Sequence, residues 1–406
     1  MLFFYLILFS IQLSNTTAEK SNALFCYYTN WAIYRPGNAK YVADNMNPHL
    51  CTHIIYAFAN IRPDTLTLLS SNPQSDLAIG FDNYNKVTSL KNKNSDLKVL
   101  LSIRGNDELI RKLKNETNRA LFASNAREYL KKYNFDGLDI NWEYPRNKTI
   151  YTLFLKTLSE EFKRDSSGTY LLTAFASANR NNSTRLYEIR NISKYLDYIN
   201  IKTYDYYNES SKVVRHPSGL FCLNSDDQLC ADSSVEYWNS NGAPLSKIVI
   251  GVPTYARGYK TTTKNPQIGD SVVDTTAPGS ILHLRGKLAY FEYCNEDYRN
   301  VWNDTQKAAH GVKDYYWLGY ETPQSIREKA NYVESKGLAG MFVWTLDYDD
   351  FSGNECNNGE SPLIAAVHEG LGLKKYNATS HSKGIQHRFE LSYPLAFICL
   401  LILILI

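Results

Sequence analysis

Residues 135 to 145 read FDGLDINWEYP, with Asp139, Asn141 and Glu143 recurring at spacing two and Leu138, Ile140 and Trp142 between them. Period two is that of a β-strand, so the three polar side chains leave one face and the three apolar ones leave the other. Asp136 is out of phase and belongs near the strand's start. Acids stacked on one buried strand face lose their water and repel one another, which makes such a face unusual as plain structure and usual at a catalytic site. The plainer alternative is a solvated edge strand whose core contacts come only from the apolar face.

Working outward, seven more short apolar, β-branched and aromatic runs punctuate the chain: ALFCYY (23–28), THIIYAF (52–58), KVLLSI (98–103), YLLTAFAS (170–177), LDYINIKTY (196–204), KIVIGVPT (247–254) and LAGMFVWTL (338–346). Helix-like stretches such as ALFASNAREYLKKY, TLFLKTLSEEFKRD and TPQSIREKANYVESK lie between them, the last with Thr322 as cap and Pro323 at the first helical position. Eight strand–helix repeats predict an α/β fold, a (β/α)8 TIM barrel, over residues 19–373. The gap before the eighth strand is much longer than the others and predicts a small α+β insertion subdomain over about 259–320. Barrel active sites gather at the C-terminal strand ends. Tyr28 to Trp31, Phe58, Asn141, Glu143, Tyr204, Asp205 and Trp344 all fall there.

The chain has 406 residues, 44% hydrophobic and 21% charged, and a net charge of +3. That balance gives no argument for nucleic acid, and there is neither a phosphate-cradling loop with a lysine nor paired Cys/His metal spacing. A neutral partner and no metal or other cofactor are expected. Residues 1–18 combine an apolar run with small polar residues and read as a secretory signal peptide. Sequons at Asn115, Asn147, Asn181, Asn182, Asn191, Asn208, Asn303 and Asn377 fit that route. Cys26, Cys51, Cys222, Cys230, Cys294 and Cys356 can then pair in an oxidising compartment, with Cys399 left over. Cys399 lies in an apolar tail, residues 395–406, behind a polar spacer (374–394); the arrangement is that of a glycolipid (GPI) anchor signal, with a short tail anchor as the alternative.

At this point the residues resemble the family-18 glycoside hydrolases, the chitinases and chitinase-like lectins, from Phe25 to about Leu371. CYYTNWAIYRPG (26–37) is similar to that family's first strand, YAFANI to its second, GVPTYARGY to its seventh and GLAGMFVWTLDYDDFSG (337–353) to its eighth, while FDGLDINWEYP is similar to its DxxDxDxE signature. The resemblance implies disulfides Cys26–Cys51 and Cys294–Cys356, leaving Cys222 and Cys230 as a local pair. It implies a substrate-assisted reaction in which Glu143 protonates the glycosidic oxygen and the sugar's own 2-acetamido carbonyl attacks the anomeric carbon. Tyr204 and Asp205 would position the acetamido group, Tyr27, Arg257 and Asp139 would support them, Trp344 would lie under the reacting ring, and Trp31 and Phe58 would line the cleft.

Asn141 stands where the family usually has an Asp, and Lys202 replaces the Met usual before the Tyr-Asp pair. SIRGND (102–107) lacks the family's second Gly and Trp, and no Trp follows Asp205, so fewer sugar platforms are expected. An amide at 141 brings no negative charge to steady an oxazolinium-like cation. Lys202, two residues before Tyr204, shares its face. The resulting expectation is a monomeric, extracellular hydrolase of β-1,4-linked N-acetylglucosamine polymers, binding chitin or its oligosaccharides and weakened by these changes. The alternative is a non-hydrolysing oligosaccharide binder or signalling protein on the cell surface.

Overall fold

A computed structural model describes residues 22–164 and 170–374. The leader, the spacer, the apolar tail, Asn377 and Cys399 lie outside the described residues. Each of the eight runs forms a parallel strand: Ala23–Thr29, His53–Arg62, Lys98–Ile103, Gly137–Asn141, Leu171–Ser177, Tyr198–Lys202, Ile248–Pro253 and Gly340–Trp344. They pair in chain order, and the first pairs with both the second and the last, which closes the barrel. A short strand, Thr67–Ser70, adds antiparallel to the second. Burial of both faces explains why these strands are nearly continuous apolar runs; Ala23–Thr29 is buried at every position.

The helices begin where the sequence supplies caps. Thr322 Oγ1 accepts from Ser325 N at 3.2 Å to start Pro323–Lys336, and Gly337, at φ 67°, ends it in the left-handed region where glycine carries no Cβ penalty. Asn147 caps Lys148–Phe162 through Ile150 N in the same way. The outward side of the signature strand packs here: Trp142 meets Tyr151 and Phe154 of this helix edge-on. Trp142 also accounts for Gly105 in the third strand's loop, because a Cβ at Gly105 would lie 1.9 Å from the indole.

Between the seventh and eighth barrel strands lies a second, six-stranded sheet running from Tyr255–Thr261 to Tyr316–Tyr320, with the short helix Tyr290–Tyr293 beside it. Val214, Tyr259, Val312 and Trp317 form its buried centre. His216 and His310 are buried against Trp317, with ring centroids 5.3 and 5.2 Å from the indole. The three disulfides are Cys26–Cys51, Cys222–Cys230 and Cys294–Cys356. The last ties the insertion to the loop after the eighth strand.

Candidate active site

The signature strand divides as its alternation requires, with Leu138 and Ile140 buried on one side and Asp139 and Asn141 on the other. Register places Ser102 and Thr173 on either side of Asp139. Their hydroxyls each donate to its carboxylate at 2.7 Å, and Tyr27 OH donates at 3.1 Å. Complete burial still pushes the Asp139 carboxyl up, because these hydrogen bonds only partly offset the lost water. Tyr27 is itself fully buried, below the exposed part of the cleft. Asn141 is buried and its Nδ2 has no hydrogen-bond partner among the described residues.

Glu143 stands just past the strand, with its side chain 42% exposed. Lys202 Nζ lies 3.2 Å from Glu143 Oε2 and 3.9 Å from Asp205 Oδ2. Burial alone pulls the Lys202 ammonium down, but the Glu143 and Asp205 carboxylates more than reverse this and hold it charged. Asp205 has φ 56° and receives a two-pronged arginine contact, from Arg257 Nε to Oδ1 and from Nη2 to Oδ2, both at 2.8 Å; Tyr255 OH adds a third bond at 2.8 Å. Burial pushes Asp205 up, yet the Arg257 contacts, Lys202 and Tyr255 outweigh it and keep the carboxyl below its usual range. Tyr204, buried, packs edge-on to Tyr255.

A row of rings leads away from this centre. Trp344 lies 5.1 Å from Tyr27 and 6.2 Å from Phe58, and Phe58 stacks on Trp31 at 5.9 Å. Glu143, Lys202, Tyr204, Asp205 and Arg257 line one cavity of about 420 Å³. The residues singled out from the sequence therefore converge at the C-terminal barrel mouth, with Tyr27 and Asp139 below it.

Other participants were not apparent from the sequence. Ser102 and Thr173 are found only through register. Arg104 sits with its guanidinium carbon 4.0 Å from the Phe58 centroid and 5.9 Å from that of Trp31, over the platform itself. Glu209 binds Arg257 Nη1 at 2.9 Å. Lys287 lies over the Tyr255 and Tyr348 rings at 3.8 and 4.6 Å, and burial, reinforced by Arg257, lowers it to about 8. Arg104 stands in the SIRGND loop that the sequence singled out, but only for the Gly and Trp it lacks. Nothing local marks the rest.

Such a site can protonate a leaving oxygen, orient an acetamido group and stack sugar rings. The described residues contain no cluster of three or more His, Cys, Asp or Glu suited to a metal ion. Comparison with known proteins agrees with the geometry. Residues 23–349 match the profile described as Glycosyl hydrolases family 18. The mouse (Mus musculus) protein Chitotriosidase-1 is 33% identical over 370 residues, covering 86% of this chain and 78% of its own. The immunomodulatory active chitinase TsES1 from Trichuris suis superposes with a TM-score of 0.81 at 31% identity, covering 86% of this chain and all of its own. Human YKL-39, described as a pseudo-chitinase with retained chitooligosaccharide binding properties, gives 0.82 at 31% identity, with 86% and 100% covered. An active and an inactive relative are thus equally similar, and only the residues at the cleft can separate the two behaviours.

Proposed function

Because the chain belongs to glycosyl hydrolase family 18, as a chitinase or chitinase-like protein, we propose that its cleft binds N-acetylglucosamine oligosaccharides and cleaves their β-1,4 bonds slowly, by substrate-assisted retention. The observation that carries this reading is the 3.2 Å contact between Lys202 Nζ and Glu143 Oε2. A proton donor must be free to turn toward the glycosidic oxygen, whereas here the Lys202 ammonium occupies its carboxylate oxygen. Tyr204 and Asp205 take the acetamido group, Asp205 being held ionised by Arg257, and Trp344 lies beneath the ring. Asn141 leaves the oxazolinium-like charge less well balanced than an Asp would.

The same ion pair favours a second reading, an oligosaccharide binder that does not hydrolyse, and YKL-39 offers a parallel for it. Three disulfides support a working place in an oxidising compartment outside the cell. Incubating the purified protein with chitohexaose from pH 3 to pH 8 tests the proposal. Shorter products, formed slowly and lost in Glu143→Gln while binding persists, support the weak hydrolase. Binding without products at any pH supports the binder, and absence of both removes the chitin reading.

A further inference from the structure

Two of the segments that frame the catalytic cavity carry the same short motif. The helix Arg180–Leu186, after the fifth barrel strand, holds the sequon Asn182-Ser183-Thr184, and the loop after the sixth strand holds Asn208-Glu209-Ser210. Asn182 and Asn208 both line the cavity of about 420 Å³ that contains Glu143, Lys202 and Asp205. The sequon asparagines Asn115, Asn147, Asn181, Asn191 and Asn303 do not line it. Asn208 follows closely on Asp205 and precedes Glu209, which holds Arg257 at 2.9 Å.

Neither amide nitrogen is taken. Asn208 Oδ1 accepts from Ser210 N at 3.0 Å and from Ser210 Oγ at 2.7 Å, and Asn182 Oδ1 accepts from Arg185 Nη2 at 3.4 Å. Nδ2 of each donates to no described residue, and neither asparagine is buried. This nitrogen is the atom that carries an N-linked glycan. In that modification it displaces a lipid-linked diphosphate from the anomeric carbon of an N-acetylglucosamine, so that a C–N bond replaces a C–O bond and the amide gives up one proton. The two sugars nearest the asparagine are then N-acetylglucosamines joined β-1,4. They are the same unit that the cleft is read as binding.

We propose that an N-linked glycan on Asn182 or Asn208 lays its own β-1,4-linked N-acetylglucosamine pair in the catalytic cavity, so that the molecule carries a tethered competitor of any oligosaccharide arriving from outside. This rests on the reading of the cleft as a binder of N-acetylglucosamine oligosaccharides, and on passage through a secretory compartment, which the three disulfides support. It adds a modification site and a form of self-inhibition. Tethering sets its strength. A short flexible link holds the pair at an effective concentration of about 1 mM, which against a disaccharide Kd of about 0.1 mM weakens an outside ligand about tenfold.

The full chain, secreted from a glycosylating eukaryotic host, is first mapped by peptide mass after a glycan-releasing amidase has acted in heavy-oxygen water. Asn182 or Asn208 is expected as heavy-oxygen Asp. Because that amidase leaves a carboxylate in the cavity, binding is compared in variants instead. Thr184→Ala/Ser210→Ala removes both sequons and keeps both asparagines, while Thr184→Ser/Ser210→Thr keeps the sequons and controls for the substitutions. By calorimetry the Ala variant binds chitohexaose about tenfold tighter than the natural protein, and the control binds as the natural protein does. Finding both asparagines unmodified overturns the proposal. An Ala variant that binds no tighter also overturns it and leaves the chitin reading intact. A gain shared by the two variants overturns it too, because the gain then traces to the altered side chains. Binding of chitohexaose by none of the three forms overturns both readings.

Discussion

Asn141 and Lys202 alter the charge around Glu143 in the same direction, one by withholding a negative charge and the other by adding a positive one 3.2 Å away. Combining Asn141→Asp with Lys202→Met should therefore raise chitooligosaccharide cleavage at pH 7 by about tenfold or more, because the oxazolinium-like cation then faces a carboxylate and Glu143 is freed of its ammonium partner. A double variant no faster at pH 7 than the natural protein would show that this pair does not limit the reaction. The alternation of FDGLDINWEYP put Asn141 and Glu143 on one face, and that of IKTYD put Lys202 with Tyr204, because period two is a local property; that Lys202 meets Glu143 is seen only in the closed barrel. The partners of Asp139 were not legible, since Ser102 and Thr173 reach it only through strand register. Arg104 was hidden for a different reason: an arginine in a loop carries no sign that it will lie over Phe58.

The eight barrel strands were legible at the scale of elements because parallel strands buried on both faces must be apolar throughout. The second sheet was legible only as an excess of length. Its strands are short and antiparallel, and several face solvent on one side; Val272–Thr275 has no buried residue. The resemblance anticipated the disulfide pairings, which sequence spacing alone left open. Cys26–Cys51 joins the first barrel strand to the entry of the second, and both sulfurs are buried. Replacing both residues by Ser should cost about 2–5 kcal/mol and lower the Tm by about 3–7 °C, measured by thermal unfolding under non-reducing conditions. A Tm within 1–2 °C of the natural protein's would mean that strand pairing alone sustains this seam.

Across the whole molecule, two buried histidines tie stability to pH. Burial, with Arg299 nearby, lowers His310 to about 4, and burial lowers His216 well below its usual value, helped by His310 and Lys329. Both are neutral in the folded protein near neutrality, while in the unfolded chain they take up protons below about pH 6.5. Their contribution is complete above that pH and is lost as the pH falls toward 4. Thermal unfolding should show a Tm that declines from pH 6.5 downward, with a shallower decline in His310→Gln; an equal slope in the variant would clear His310 of the effect. The Cys294–Cys356 bridge bears on proteolysis. It spans 62 residues that include the exposed turn at Asp314 and Tyr315. A protease that nicks this turn produces two chains that travel as one on a gel until a reductant is added, so the nicked protein keeps its last barrel strand, and with it Trp344, covalently attached to the rest of the molecule.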